Sequence, residues 1–210
     1  MLVQITFSVG PLACNCTILG DEASASALVV DPGAQVGDIL RQLEARRWKL
    51  AAIVVTHAHI DHIGGAAELK RRTGAPVWLH PRDLELYAGL EQQAHWIGVP
   101  VPERTGVDAE LTAGADIRLG PERLQVLETP GHTEGSVCLY LPQEAKLFAG
   151  DTLFAGSIGR TDLPGGNYDA ILNSLRGTLM ALPDATIVIP GHGPETTIGR
   201  ERELNPFLQE

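Results

Sequence analysis

The sequence predicts an α+β fold, a four-layer αββα sandwich in which two sheets face each other and helices cover both outer sides. Three observations carry this expectation. Each half of the chain opens with short strand-like runs and passes into strand–helix alternation. No linker, low-complexity stretch or charge block interrupts the 210 residues, a length that fits one large domain spanning 1–210. And several apolar runs end in a polar or glycine-containing turn, the punctuation expected where a strand delivers a functional side chain to an edge.

The elements follow in order. Strands are expected near residues 2–9, 15–20 and 27–31. Asp31-Pro32-Gly33 turns the chain into a helix over about 35–46, with Val36, Ile39, Leu40 and Leu43 at helical spacing. A strand over 51–56 leads into a polar loop, a helix over 65–73 and a short strand over 77–80. Pro81-Arg82-Asp83 then starts another helix, with Pro at an early position. Residues 89–113 mix Gly, Pro, charge and Trp96-Ile97, and read as a loop covering the site. Strands follow near 115–119, 123–128, 136–141 and 146–149, a helix over 168–181, a strand over 185–189, and a last helix from about residue 198.

Composition narrows the function classes. Hydrophobic content is 44% and charged content 20%, ordinary for a soluble globular protein. The first residues alternate like a strand and lack the charged start and long apolar run of a signal peptide, so a cytoplasmic location and no membrane association are expected. The formal net charge of −10 argues against nucleic acid as a partner, which would need a basic surface. Bound cations would offset part of that acidity. Cys14, Cys16 and Cys138 form no disulfide framework. Cys14 and Cys16 read as strand residues sharing a face, and Cys138 as a small core residue.

The chemistry concentrates in His57-Ala58-His59-Ile60-Asp61-His62, where four of six residues are metal ligands by type. His57 and His59, two apart on an extended segment, share a side and are able to grip one ion. Asp61 and His62, beyond the turn, suit a second. Three later segments each present one more ligand after an apolar strand: Thr129-Pro130-Gly131-His132, Ala149-Gly150-Asp151 and Ile189-Pro190-Gly191-His192. Together they supply His57, His59 and His132 for one ion, Asp61, His62 and His192 for a second, and Asp151 as the bridge. Nitrogen-rich ligation with open positions suits Zn²⁺ first, with Fe and Mn as alternatives. This set uses five of the seven histidines. Of the others, His80 reads as a cap or a surface residue and His95 as a solvated loop residue.

The ordered set His57-x-His59-x-Asp61-His62, His132, Asp151 and His192 resembles the metallo-β-lactamase superfamily over nearly the whole chain. The resemblance implies the αββα fold and the metal assignments above. It also implies a supporting role for Asp31, hydrogen-bonded to the ligand loop. Gly150-Asp151-Thr152-Leu153-Phe154, Gly159-Arg160-Thr161-Asp162 and the ending Gly191-His192-Gly193-Pro194 through Asn205-Pro206-Phe207-Leu208 are similar to the glyoxalase II-like branch and its short bacterial hydrolases. The chain departs from full-length glyoxalase II in stopping soon after His192 and in carrying Asp162 where that enzyme has Tyr. Arg160 either holds a substrate carboxylate or pairs with Asp162.

The resemblance implies a metal-dependent hydrolase of a small-molecule thioester of the hydroxyacylglutathione type. The attacking group would be a hydroxide bridging two metal ions, oriented by Asp61 as the catalytic carboxylate. The alternatives are a mononuclear iron dioxygenase acting on a persulfide, using His57, His132 and Asp151 as a facial triad, and a lactonase of the same superfamily. A monomer or small homo-oligomer is expected.

Overall fold

The computed structural model describes residues 1–209. Its first sheet is built from β1 (Leu2–Val9), β2 (Cys14–Asp21), β3 (Ser26–Val30), β4 (Lys49–Val54), β5 (Val77–Leu79) and β6 (Ala109–Glu110), lying side by side in chain order. The first three strands form an antiparallel meander, and β3 to β6 run parallel. The second sheet is built from β7 (Ile117–Leu119), β8 (Glu122–Glu128), β9 (Val137–Leu141), β10 (Lys146–Gly150), β13 (Ile187–Pro190) and β14 (Thr196–Thr197), again side by side in chain order. Between β10 and β13 a small hairpin, β11 (Leu153–Phe154) and β12 (Ser157–Ile158), stands apart.

Side-chain alternation assigns each strand's two faces to different layers. In β3, Leu28 and Val30 face the second sheet and meet Leu139 and Phe148 there. Ala27 and Val29 face the opposite way, onto α1 (Val36–Arg46) through Ile39 and Leu43 and onto α3 (Ala66–Thr73) through Leu69. The second sheet repeats the scheme. Val137, Leu139 and Leu141 of β9 point between the sheets, and Cys138 and Tyr140 point outward onto Ile171 and Leu175 of α6 (Tyr168–Gly177) and Ile198 of α7 (Ile198–Leu204). Three apolar layers therefore separate four layers of secondary structure, the expected αββα sandwich. Cys14 and Cys16 are both buried on the helix side of β2, and all three cysteines are free.

Several expectations shift in detail. The strand expected over 51–56 is β4, Lys49–Val54; the Val55 amide makes a last bond to the Trp78 carbonyl at 3.0 Å and Thr56 then starts the ligand loop. The helix expected over 168–181 ends at Gly177 and continues only as a 3₁₀ turn over Leu179–Ala181. Residues 89–113 are not a loop throughout. α4 (Leu84–Ala88) is followed across Gly89 by α5 (Leu90–Ile97), and β6 closes the segment. Leu90, Gln93 and Ala94 are the buried residues of α5, a helical stripe that the surrounding Gly, Pro and charge conceal. His95 is exposed on that helix, not in a loop. His80 is buried, not on the surface; its Nδ1 accepts the Arg82 amide at 3.2 Å, a cap on the turn that Pro81 begins. Among the described residues, no helix is long and apolar enough to cross a membrane.

Strands β3, β4 and β5 run parallel, and so do β10 and β13. Two antiparallel steps, through β9, align β8 with β10. The turns that follow these strands all open on one edge of the sandwich. Their close approach demands bare backbone. At Gly33 a Cβ would collide with the carbonyl oxygen of Asp61, and at Gly65 with that of Pro32, so the 31–33 turn and the ligand loop pack main chain against main chain. Gly33→Ala is expected to destabilise the fold by about 1–3 kcal/mol in denaturant unfolding. Gly177→Ala, where a Cβ meets nothing, serves as the neutral control.

Candidate metal centre

His57, His59, Asp61 and His62 leave the end of β4 on a tight loop that passes into the single-turn helix α2 (Ile60–Ile63). His132 follows β8 on the Thr129-Pro130-Gly131 turn, Asp151 follows β10, and His192 follows β13. All seven converge. The donor atoms of His57, His59 and His132 lie within 4.8 Å of one another, as do those of His57, His62 and Asp151, and of Asp61, His62 and His192. Asp151 reaches both sides: Oδ2 is 3.6 Å from His132 Nε2 and 3.7 Å from His192 Nε2, and Oδ1 is 3.4 Å from His62 Nε2.

Hydrogen bonds behind the rings decide which nitrogens face inward. His132 Nδ1–H donates to the Arg160 carbonyl at 2.8 Å and His192 Nδ1–H to the Leu12 carbonyl at 3.0 Å. His62 Nδ1–H donates to Asp31 Oδ2 at 3.0 Å. His57 Nδ1–H donates to Thr56 Oγ1 at 3.1 Å, and that hydroxyl donates onward to Asp31 Oδ2 at 2.8 Å. Each Nδ1 thus carries the proton and each Nε2 keeps its lone pair for the centre. His59 turns the other nitrogen inward, its Nδ1 lying 2.9 Å from His132 Nε2.

The arrangement fits cations. His62 Nε2 and His192 Nε2 face each other at 3.3 Å, close to the roughly 3.4 Å that two ligands about 2.05 Å from a tetrahedral zinc would show. His57 Nε2 and Asp151 Oδ1 are buried with no hydrogen-bond partner, although a buried polar atom normally has one. Electrostatics divides the centre. Burial, reinforced by mutual repulsion among the rings, pushes the His57 pKa well below its ordinary value and that of His59 down to about 3; burial lowers His132 as well. These three are neutral donors at pH 7. Around His62 and His192 burial also opposes charge, but it is outweighed: by the Asp151, Asp31 and Asp61 carboxylates at His62, and by Asp61 and Asp151 at His192, so both pKa values rise. The field that favours a proton there favours a metal cation equally.

Asp31 ends β3 in the left-handed backbone region, φ 53°. Its Oδ1 accepts the Thr56 amide at 2.7 Å while Oδ2 takes the two bonds above, so one buried carboxylate supports both His57 and His62. Arg160 lines the cavity beside the centre, and its guanidinium is paired with Asp162 by two 2.7 Å bonds. It is not brought onto the ligands; only its carbonyl touches one.

Three residues that sequence reasoning missed complete the scaffold. Asp83, buried at the start of α4, accepts the Ala58 amide at 2.8 Å, the Thr133 hydroxyl at 2.9 Å and the Gly135 amide at 2.7 Å. It therefore ties the His57–His62 loop to the His132 turn. Gln93 of α5 accepts the Ile60 amide at 2.9 Å and donates to the Leu86 and Ala58 carbonyls at 2.9 and 3.3 Å. Asn15 of β2 donates to the Pro190 and Gly193 carbonyls at 3.0 and 2.9 Å, clamping the His192 turn across the sheets. Asp83 had one visible signal, an acidic residue next to a helix start after Pro81; nothing in the sequence tells that it turns inward.

The metallo-β-lactamase superfamily profile matches residues 9–192. A Haemophilus influenzae protein named hydroxyacylglutathione hydrolase GloC is 35% identical, over 92% of each chain. Among solved structures, the BLEG-1 B3 metallo-β-lactamase superposes with a TM-score of 0.92 at 36% identity, covering 99% of this chain and 100% of that one. The protein TTHA1623 in a di-iron-bound form gives 0.87 at 40%, covering 97% and 100%.

Asp83→Ala removes no ligand yet frees both loops. It is expected to weaken metal retention about 10–100-fold against a chelator, with far-ultraviolet circular dichroism unchanged. Full metal affinity in the variant would show that the loops hold themselves.

Proposed function

This chain belongs to the metallo-β-lactamase superfamily, and on that premise we propose that it is a dinuclear metal-dependent hydrolase of thioesters of the hydroxyacylglutathione type. The observation that carries the reading is the second ligand cluster, Asp61, His62 and His192, standing beside the three-histidine cluster with Asp151 between them. It completes a ligand set for a second ion. The two ions are Zn²⁺ by donor type, three imidazoles on one side and mixed imidazole and carboxylate on the other. The di-iron form of TTHA1623 supports iron as the alternative. The name of the Haemophilus influenzae relative supports glutathione as the thiol.

Bound divalent cations here would acidify water and polarise the thioester carbonyl, making hydroxide available at pH 7. The protein's own groups do the rest. Burial alone would raise the Asp61 pKa, but the positive charge favoured at His62 and the His192 contact hold it below the usual carboxylate range, and bound cations in place of those protons would act in the same direction. Asp61 is thus an ionised acceptor that orients the attacking water through that water's proton. Hydrolysis forms one C–O bond and breaks the C–S bond, and the released thiolate takes up a proton to leave as the thiol. No serine or cysteine nucleophile is required. Cys14, whose Sγ lies 3.6 Å behind the His62 ring, stays a thiol, since burial raises its pKa to about 11.

His62→Ala and His192→Ala are each expected to lower metal content from two toward one per chain by elemental analysis. Cleavage of S-lactoylglutathione should fall about 10²-fold or more. Activity surviving both substitutions, or substrate-dependent oxygen uptake in place of thioester cleavage, would overturn the dinuclear hydrolase.

A further inference from the structure

A cavity of about 580 Å³ opens directly on the ligands His59, Asp61, His132, Asp151 and His192. That volume suits a drug-sized molecule and far exceeds a lactoyl group. Its remaining wall is apolar. Leu12, Ile60, Leu86, Trp96, Ile97 and Leu163 line it. Leu12, Trp96 and Ile97 keep 46%, 54% and 39% of their surface exposed, a concentration of bare apolar surface beside the reactive groups that marks a ligand groove. Of the two polar residues of the wall that are not metal ligands, Gln93 is fully engaged and Arg160 is paired with an acid. Gln93 uses its oxygen and its amide hydrogens on Ile60, Ala58 and Leu86, and the exposed Arg160 turns Nε and Nη2 to Asp162.

A charged, peptide-like thiol would lose its hydration against the apolar part of this wall and find no partner there, since the one cation, Arg160, stands at its exposed side paired with Asp162. We propose that this cavity binds an extended apolar acyl chain, so that the substrates are thioesters of medium-chain or aromatic acids, with the thiol half lying outside it. The inference rests on the thioester reading and specifies its acyl half. The length limit comes from Trp96. A second cavity of about 300 Å³, bordered by Arg82, Glu85 and Glu134, adjoins it, and both cavities share Leu86, Gln93, Trp96 and Pro164. On this proposal the Trp96 indole, the largest of the shared side chains, is what divides them.

The test uses the metal-loaded enzyme with a straight-chain S-acylglutathione series from acetyl to dodecanoyl, S-lactoylglutathione, and calorimetric binding of the matching carboxylates. Wild-type kcat/KM and carboxylate affinity are expected to rise about fourfold per added methylene and then drop at a defined length. Trp96→Ala moves that optimum to longer chains, while Trp96→Phe leaves it near the wild-type length. A flat series, or lactoyl preferred over every alkyl chain, overturns the inference and leaves the thioesterase standing. Carboxylate affinity that climbs with chain length while no thioester is cleaved refutes the thioester reading and leaves the apolar pocket in place.

Discussion

The centre depends on one carboxylate. Asp31 holds the His62 ring directly and the His57 ring through Thr56, and its other oxygen fixes the Thr56 main chain as it leaves β4. One side chain thereby sets the tautomer of a histidine in each cluster and the exit angle of the loop that carries four of the seven donors. The strained backbone at Asp31, φ 53° for a residue with a Cβ, persists because three hydrogen bonds over-determine it. Everything on the far side of the centre, His132, Asp151 and His192, is then referenced to a loop that Asp31 has already placed.

That placement is relayed across the sandwich by main-chain contacts. The Val137 amide donates to the Thr56 carbonyl at 3.0 Å, and the Asn15 amide to the Gly191 carbonyl at 2.7 Å, so each sheet is bonded to the other at the ligand-bearing edge. Asp83 adds a link between the two loops that supply the three-histidine cluster. The ligand turns are glycine-rich because this convergence leaves no room. A Cβ at Gly191 would strike the Asp151 carboxylate and the His62 ring. Stability and site geometry are the same set of contacts here, and a loose edge would lose both.

The layers and the donors were legible in the sequence because both follow from local rules. Strand alternation separates the β3 and β9 faces, and ligand residues stand at strand ends within a few positions of glycine. What escaped was set by contacts distant in the chain. Asp83 bonds Gly135, Asn15 bonds Pro190 and Gly193, and Gln93 bonds Ile60; each is an ordinary polar residue until the fold brings its partner near. Residues 89–113 concealed a helix for a related reason. The buried stripe of α5 is only Leu90, Gln93 and Ala94, and its middle member is polar, so no apolar periodicity announced it.

The same helix explains how one scaffold separates holding from choosing. One face of α5 sends Gln93 inward to fix the Ile60 main chain, and the next turn sends Trp96 and Ile97 into the open cavity. The ligands come from strand ends that the double sheet fixes, and Leu12 and Ile60 of the apolar wall sit among them, whereas Leu86, Trp96, Ile97 and Leu163 come from α4, α5 and the segment after β12. Changes at Trp96 or Ile97 therefore leave the donors where Asp31 and Asp83 hold them. A fold so arranged is able to reshape its cavity by substitution at Trp96 or Ile97 without disturbing the metal centre, which is why the identity of the chemistry and the identity of the substrate have to be read from different residues.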